Sequence, residues 1–231
     1  MPLAIDLFCG LGGWTDGLLA EGYDVIGFDI ERHVYGEHRY PAQLVIQDVL
    51  TLHGSQFKTA DLIVASPPCQ AYSYRAMPWK KAKALPPPCN ALFDACFRIQ
   101  REACEAAGRH IPLIVENVRG AQPWVGRARW NYGSFYLWGD VPALMPPTFK
   151  ASKVPGFRFD GSGKSFQTAS VEEHVKLGGS WFHGYRQGQG PRNHGSKSKA
   201  RKHASAMIAK IPLPLSKYIA ATFLNAPVKR G

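Results

Sequence analysis

Pro2-Leu3-Ala4-Ile5-Asp6-Leu7-Phe8-Cys9-Gly10-Leu11-Gly12-Gly13-Trp14 is the stretch on which the fold turns. Residues 2–8 form a short, mostly apolar run that reads as a buried strand. Glycines follow, and residues 15–21 read as a helix ending near Gly22. A strand, a glycine loop and a helix start make a ligand cradle, because glycine lets the backbone approach a ligand closely and adopt positive φ. By itself a glycine-rich turn is a weak signal, since many are only tight turns.

Working outward, residues 23–28 read as the next strand, ended by Asp29. An acid about 20 residues past such glycines suits hydrogen bonds to ribose hydroxyls, and it equally suits a helix N-cap. Residues 44–46 read as a third strand, followed by Asp48, which can accept from the exocyclic amine of a purine. The pattern predicts a βαβαβ unit for a nucleoside-containing cofactor. No P-loop signature is present, so no triphosphate site is expected.

Asp61-Leu62-Ile63-Val64-Ala65 reads as another buried strand, and Ser66-Pro67-Pro68-Cys69-Gln70 must turn, because two prolines cannot continue a central strand. Open α/β sheets place ligands at the carboxyl ends of their strands. Cys69 is therefore presented over a potential site, as a nucleophile if its thiol is activated or as a buried, inert residue if not. Beyond it, Tyr72, Ser73, Tyr74, Arg75, Trp79, Lys80, Lys81 and Lys83 mix basic and aromatic side chains in a manner that suits a phosphate backbone and an unstacked base, or simply a surface loop.

Residues 89–107 read as an amphipathic helix that places Cys96 and Cys104 in the core. Residues 111–115 read as a strand closed by Glu116-Asn117-Val118, which aims a carboxylate at the same end of the sheet as Cys69. A salt-bridged or capping glutamate is the plainer reading. The aromatic run 130–139 reads as one further strand, and Arg127 and Arg129, alternate on extended chain, share a face.

The 231 residues can bury a full core, and no apolar run approaches the ~18 residues of a membrane span. The N-terminus has no basic segment ahead of its apolar residues, so no secretory leader is expected. Five cysteines without paired spacing support neither a disulfide framework nor a zinc site and suggest reduced thiols in a cytosol. His174, His183, His194 and His203 are too unevenly spaced to predict a metal. Net charge is +11, and residues 141–204 carry eleven basic side chains against three acids. That lopsidedness favours nucleic acid over a merely solvated face. Arg186, Arg192, Lys197 and Lys199 are the candidate phosphate contacts there. The parsing is 1–140 for a catalytic and cofactor-binding domain and 141–204 for a small basic, loop-rich module. Residues 205–231, with a helix at 216–224, return to the first domain.

Taken together these residues resemble the DNA cytosine-5 methyltransferase family. Asp6-Leu7-Phe8-Cys9-Gly10-Leu11-Gly12-Gly13 is similar to its first cofactor motif, Pro68-Cys69-Gln70 to its nucleophile motif, and Glu116-Asn117-Val118 to its second catalytic motif. Arg127 and Arg129 stand for the family's arginine pair, although Val125 occupies the place of the usual leading Gln. Ile211-Pro212 resembles the last motif, with Ala209 where an Asn is expected. The resemblance implies a Rossmann-like α/β sheet with helices on both faces and S-adenosylmethionine as cofactor. Phe8, Gly10, Leu11, Gly12, Gly13, Asp29, Ile30, Asp48, Val49, Pro67 and Leu92 would line its site. Cys69, Glu116, Arg127 and Arg129 would act on cytosine. Gln70, Ser73, Arg75, Lys80, Lys81, Lys83 and the four basic residues of the module would touch double-stranded DNA. The implied reaction is methyl transfer to C5 of a flipped cytosine, in a cytoplasmic setting such as restriction protection or phage self-marking. Transfer to an exocyclic N4 or N6 amine, transfer to RNA, and an idle nucleic-acid-binding relative are the alternatives.

Overall fold

The computed structural model describes residues 1–73, 84, 86–145, 202–203, 206–207 and 209–224. Arg75, Lys80, Lys81, Lys83, Arg186, Arg192, Lys197 and Lys199 lie outside the described residues. Five strands run parallel: β1 (Leu3–Leu7), β2 (Asp24–Asp29), β5 (Gln43–Ile46), β6 (Leu62–Ala65) and β7 (Leu113–Asn117). The seven-stranded sheet has the order β5-β2-β1-β6-β7-β9-β8. Its last two members, β8 (Trp130–Tyr132) and β9 (Phe135–Gly139), form a reversed hairpin on β7.

Strand side chains alternate between two cores. Ile5, Leu7, Ile63, Ala65, Leu113 and Val115 pack toward helix α2 (Ala91–Ala107), against Phe93, Cys96, Ile99 and Ala103. Ala4, Leu62, Val64 and Ile114 pack the other way, against Trp14 and Leu18 of α1 (Gly13–Ala20) and Leu215 and Ile219 of α4 (Leu213–Leu224). A parallel sheet covered on both faces needs near-continuous apolar strands, and β6, Leu-Ile-Val-Ala, is wholly buried. Each such side chain contributes about 1.5–3 kcal/mol when removed from water. The described helices are α1, α2, α3 (Gln122–Val125) and α4, and none is long and apolar enough to cross a membrane.

Two local expectations differ from what is found. Between β2 and β5 stands no helix but a small hairpin, β3 (Val34–Tyr35) and β4 (His38–Arg39), turning at Gly36 with φ +62°. Residues 30–42 lack apolar helical spacing, and the sheet face that a crossover helix would cover is filled by the Tyr40 ring. A side chain on Gly27 would overlap that ring. The aromatic run is likewise two strands, because Gly133 at φ +59° reverses the chain midway.

Helix α4 crosses α1 at Gly17, where a Cβ would collide with the backbone of Ser216 and Lys217. Lys210–Asp16 (2.7 Å) and Lys217–Glu21 (3.5 Å) flank the crossing. Gly17→Ala is expected to destabilise the protein. The gain in helix propensity, about 1 kcal/mol, is outweighed by overpacking of about 1–3 kcal/mol. Thermal melting checks this, with a drop of roughly 2–4 °C for each net kcal/mol. An unchanged or raised Tm would show that α4 does not pack on α1 as described.

Candidate active site

The carboxyl ends of β1, β2, β6 and β7 converge on one rim. The loop after β1 is held by unusual backbone angles: Phe8 at φ +58°, Gly10 at +51° and Gly12 at +75°. Only glycine adopts such angles freely, so Phe8 stores strain at the mouth of the site. A Cβ on Gly12 would also press into Pro41 (2.5 Å) and Tyr40 (3.2 Å). Gly10 instead faces open space, while Leu11 and Gly13 are buried.

Asp29 accepts from the Gly10 N–H (2.9 Å) and the Glu31 N–H (3.2 Å), and His33 Nε2 stands 3.5 Å from its other side. Burial pushes its carboxyl up, but the hydrogen bonds from His33, Gly10 and Glu31 prevail and hold it below the usual range. An ionised acid is thus fixed beside the glycine loop, and Ile30 next to it is 70% exposed, an apolar platform on the rim. Asp48 caps the 3-10 turn Val49–Thr51, its Oδ1 accepting from the Leu50 N–H (2.9 Å), while Val49 is buried. Leu92 is half-buried in the first turn of α2, its carbonyl accepting from Cys96 Sγ.

The loop after β6 is clamped to β7. Asn117, 1% exposed, donates from Nδ2 to the Pro67 carbonyl (3.0 Å), and its Oδ1 accepts from the Val118 N–H (2.8 Å). Tyr72 N–H closes a turn onto the Cys69 carbonyl (3.0 Å), and Tyr72 OH reaches Asn90 (2.9 Å). Cys69 is half-buried within this turn, with Gln70 exposed and Ser73 half-buried beside it. Burial first, and then the Glu116 carboxylate, push the Cys69 thiol up, so the two groups lie within each other's electrostatic reach.

Glu116 is 9% exposed, and burial pushes its carboxyl up to about 8, against a hydrogen bond from Ser66. Ser66 Oγ in turn accepts from Trp14 Nε1 (3.0 Å). Glu116 therefore favours its protonated form near neutral pH, in which it can donate a hydrogen bond. Ser66, Trp14 and Asn117 were not singled out from sequence. The available signal was their position inside or one turn from the quoted motifs.

The hairpin register fixes which face of the sheet the arginines take. In the register Glu116↔Leu137↔Trp130, Glu116 and Trp130 share the α1 face, which puts Arg129 on the α2 face. There the two arginines line adjoining hollows of about 340 and 450 Å³, with Phe97, Gln100 and Trp138 beside one and Arg119, Asn131 and Tyr136 beside the other. The hairpin's strand pairing, not their spacing, decides their face.

A glycine loop at the end of β1, a mostly parallel seven-stranded sheet with a reversed hairpin, and helices on both faces define a Rossmann-like fold of the S-adenosylmethionine-dependent methyltransferase class. The model of the C-5 cytosine-specific DNA methylases matches residues 3–122, just over half the chain, and the protein belongs to that family. No curated protein sequence matches the chain. Among solved structures it is similar to a protein described as a DNA modification methyltransferase encoded within a prophage (E. coli), at 26% identity, covering 52% of this chain and 33% of that one, with a TM-score of 0.37. It is also similar to the Entamoeba histolytica methyltransferase EhMeth, at 18% identity, 54% and 40% coverage and a TM-score of 0.38. For Spodoptera frugiperda DNMT2 the values are 20%, 54% and 38%, and 0.37. The chain spans between a third and two fifths of the length of these structures.

Proposed function

We propose that the protein transfers a methyl group from S-adenosylmethionine to C5 of cytosine in double-stranded DNA. The observation that carries this reading is the placement of Cys69 in the turn after β6 and of buried Glu116 at the end of the adjacent β7, beside a glycine loop.

The residues present fit the cofactor: Gly10 at positive φ faces open space, Asp29 is a fixed anion, and one buried oxygen of Asp6 has no partner among the described residues. The loop Gly10, Leu11, Gly12 and Gly13 would hold its amino-acid end, Asp29 its ribose, and Ile30, Asp48, Val49 and Pro67 its base. When bound, this cofactor supplies an electrophilic methyl group on a sulfonium. Cytosine C5 is a poor nucleophile, and adding a thiolate at C6 makes it enamine-like. Cys69 would form that bond, while Glu116 hydrogen-bonds N3 and so stabilises the charge that develops. After C5 takes the methyl group, loss of the C5 proton to a base lets Cys69 leave. A duplex hides C6 in the stack, so the target base would be flipped out, and the net charge of +11 suits the phosphates around it.

The test is transfer of labelled methyl from S-adenosylmethionine to DNA and to RNA, followed by nucleoside analysis. 5-Methyl-2′-deoxycytidine is expected. N4-methylcytosine, N6-methyladenine, label in RNA alone, or no label in any nucleic acid would overturn the reading.

A further inference from the structure

Beneath the glycine loop runs a hydrogen-bonded chain that the proposed chemistry does not use. Thr15 Oγ1 donates to Asp6 Oδ2 at 2.6 Å, and Tyr40 OH lies 2.7 Å from the same Thr15 oxygen. Because the Thr15 proton is committed to Asp6, Tyr40 must be the donor to Thr15. Asp6 is 1% exposed, Thr15 fully buried and Tyr40 8% exposed. The Asp6–Thr15 bond closes the base of the loop that spans residues 7–14. The other carboxylate oxygen, Oδ1, is buried with no hydrogen-bond partner among the described residues. A buried acid half-satisfied in this way is costly unless a further group completes it.

We propose that the Tyr40–Thr15–Asp6 chain sets the charge of the cofactor pocket. Ionised Asp6 then favours the cationic methyl donor over the neutral thioether that remains after transfer. Thr15 and Tyr40 are positioning residues that act through Asp6, and the inference rests on the cofactor reading above.

Two carboxylates act on Asp6 across space, and each has a partner of its own. Asp29 is paired with His33, and Asp16 is paired with Lys210. Cys9 and Tyr40 face it as neutral groups, both held protonated chiefly by burial. Burial pushes the Asp6 carboxyl up to about 7, against hydrogen bonds from the Thr15 side chain and the Thr15 backbone N–H, with Asp29 and Asp16 adding to the rise. A cation entering the loop shifts this balance toward the carboxylate, and a neutral ligand does not. As pH rises through that value the donor should bind more tightly, while the thioether changes little.

Calorimetric titration of S-adenosylmethionine and of S-adenosylhomocysteine between about pH 6 and about pH 8.5 tests this, on wild type, Thr15→Val and Tyr40→Phe. The ligand's own amine titrates alike in every variant, so a displacement between variants reads the protein. Wild type should tighten on the donor about tenfold more than on the thioether across the range, the equivalent of about one pKa unit of differential interaction. Thr15→Val, which keeps the shape and loses the donor, should move the midpoint upward, and Tyr40→Phe should move it less. Parallel profiles for the two ligands, or an unmoved midpoint in Thr15→Val, would overturn the inference alone. Failure of folded wild type to bind either ligand would overturn the cofactor reading with it. Melting temperatures of the variants separate loss of fold from loss of charge.

Discussion

Cys69→Ser is expected to abolish methyl transfer, by on the order of a thousandfold or more, while S-adenosylhomocysteine still binds with wild-type affinity. A serine hydroxyl fits the same turn, whose shape is set by the Asn117–Pro67 bond (3.0 Å) and the Tyr72–Cys69 backbone bond (3.0 Å) rather than by the thiol. What is lost is a nucleophile that can ionise, since a hydroxyl lies far above any thiol in pKa. The glycine loop and Asp29 are untouched by the change. Radiolabel transfer to DNA reads the first quantity and calorimetry the second. Methylation at the wild-type rate would remove Cys69 from the chemistry, and loss of binding together with activity would show that the turn, not the sulfur, had failed.

Glu116→Gln is expected to slow transfer about a hundred- to ten-thousandfold and, in the opposite direction, to make Cys69 more reactive toward alkylation at alkaline pH. The two effects share one cause. The Glu116 carboxyl, pushed up to about 8 by burial, is neutral below that value and charged above it. Once charged it adds to the burial that already raises the Cys69 thiol. Glutamine carries no charge at any pH. Above about pH 8 the variant's thiol should therefore ionise more readily than that of wild type, whereas near pH 6 the two should react alike. Peptide mapping after a timed iodoacetamide pulse isolates Cys69 from exposed Cys89 and buried Cys9 and Cys96. Equal rates at high pH would mean that the carboxylate does not act on this thiol. An unaltered transfer rate would take Glu116 out of the proposed mechanism.

The arginine pair shows where local pattern stops being informative. Alternation on extended chain puts Arg127 and Arg129 on one face, and nothing in their spacing says which. That was decided when Trp130 came to stand opposite Leu137, and Leu137 opposite Glu116. A shift of one residue in that register would exchange the faces. The same holds for residues 30–42, where a crossover helix was expected. Gly27 is an ordinary strand glycine until Tyr40, thirteen positions later, lays its ring on it.

The amino-acid sequence alone determined the Rossmann-like α/β class, the family and the order of the core strands along the chain. Each is written in signals a few residues long: apolar runs, glycines before a helix, and prolines that stop a strand. Only the tertiary structure decided that Asn117 ties down the Cys69 turn, that Trp14 and Ser66 stand behind Glu116, and that Tyr40 and Thr15 converge on Asp6. Those contacts join residues up to 52 positions apart. They exist because a buried polar group must find a partner within about 3 Å, wherever the chain brings one.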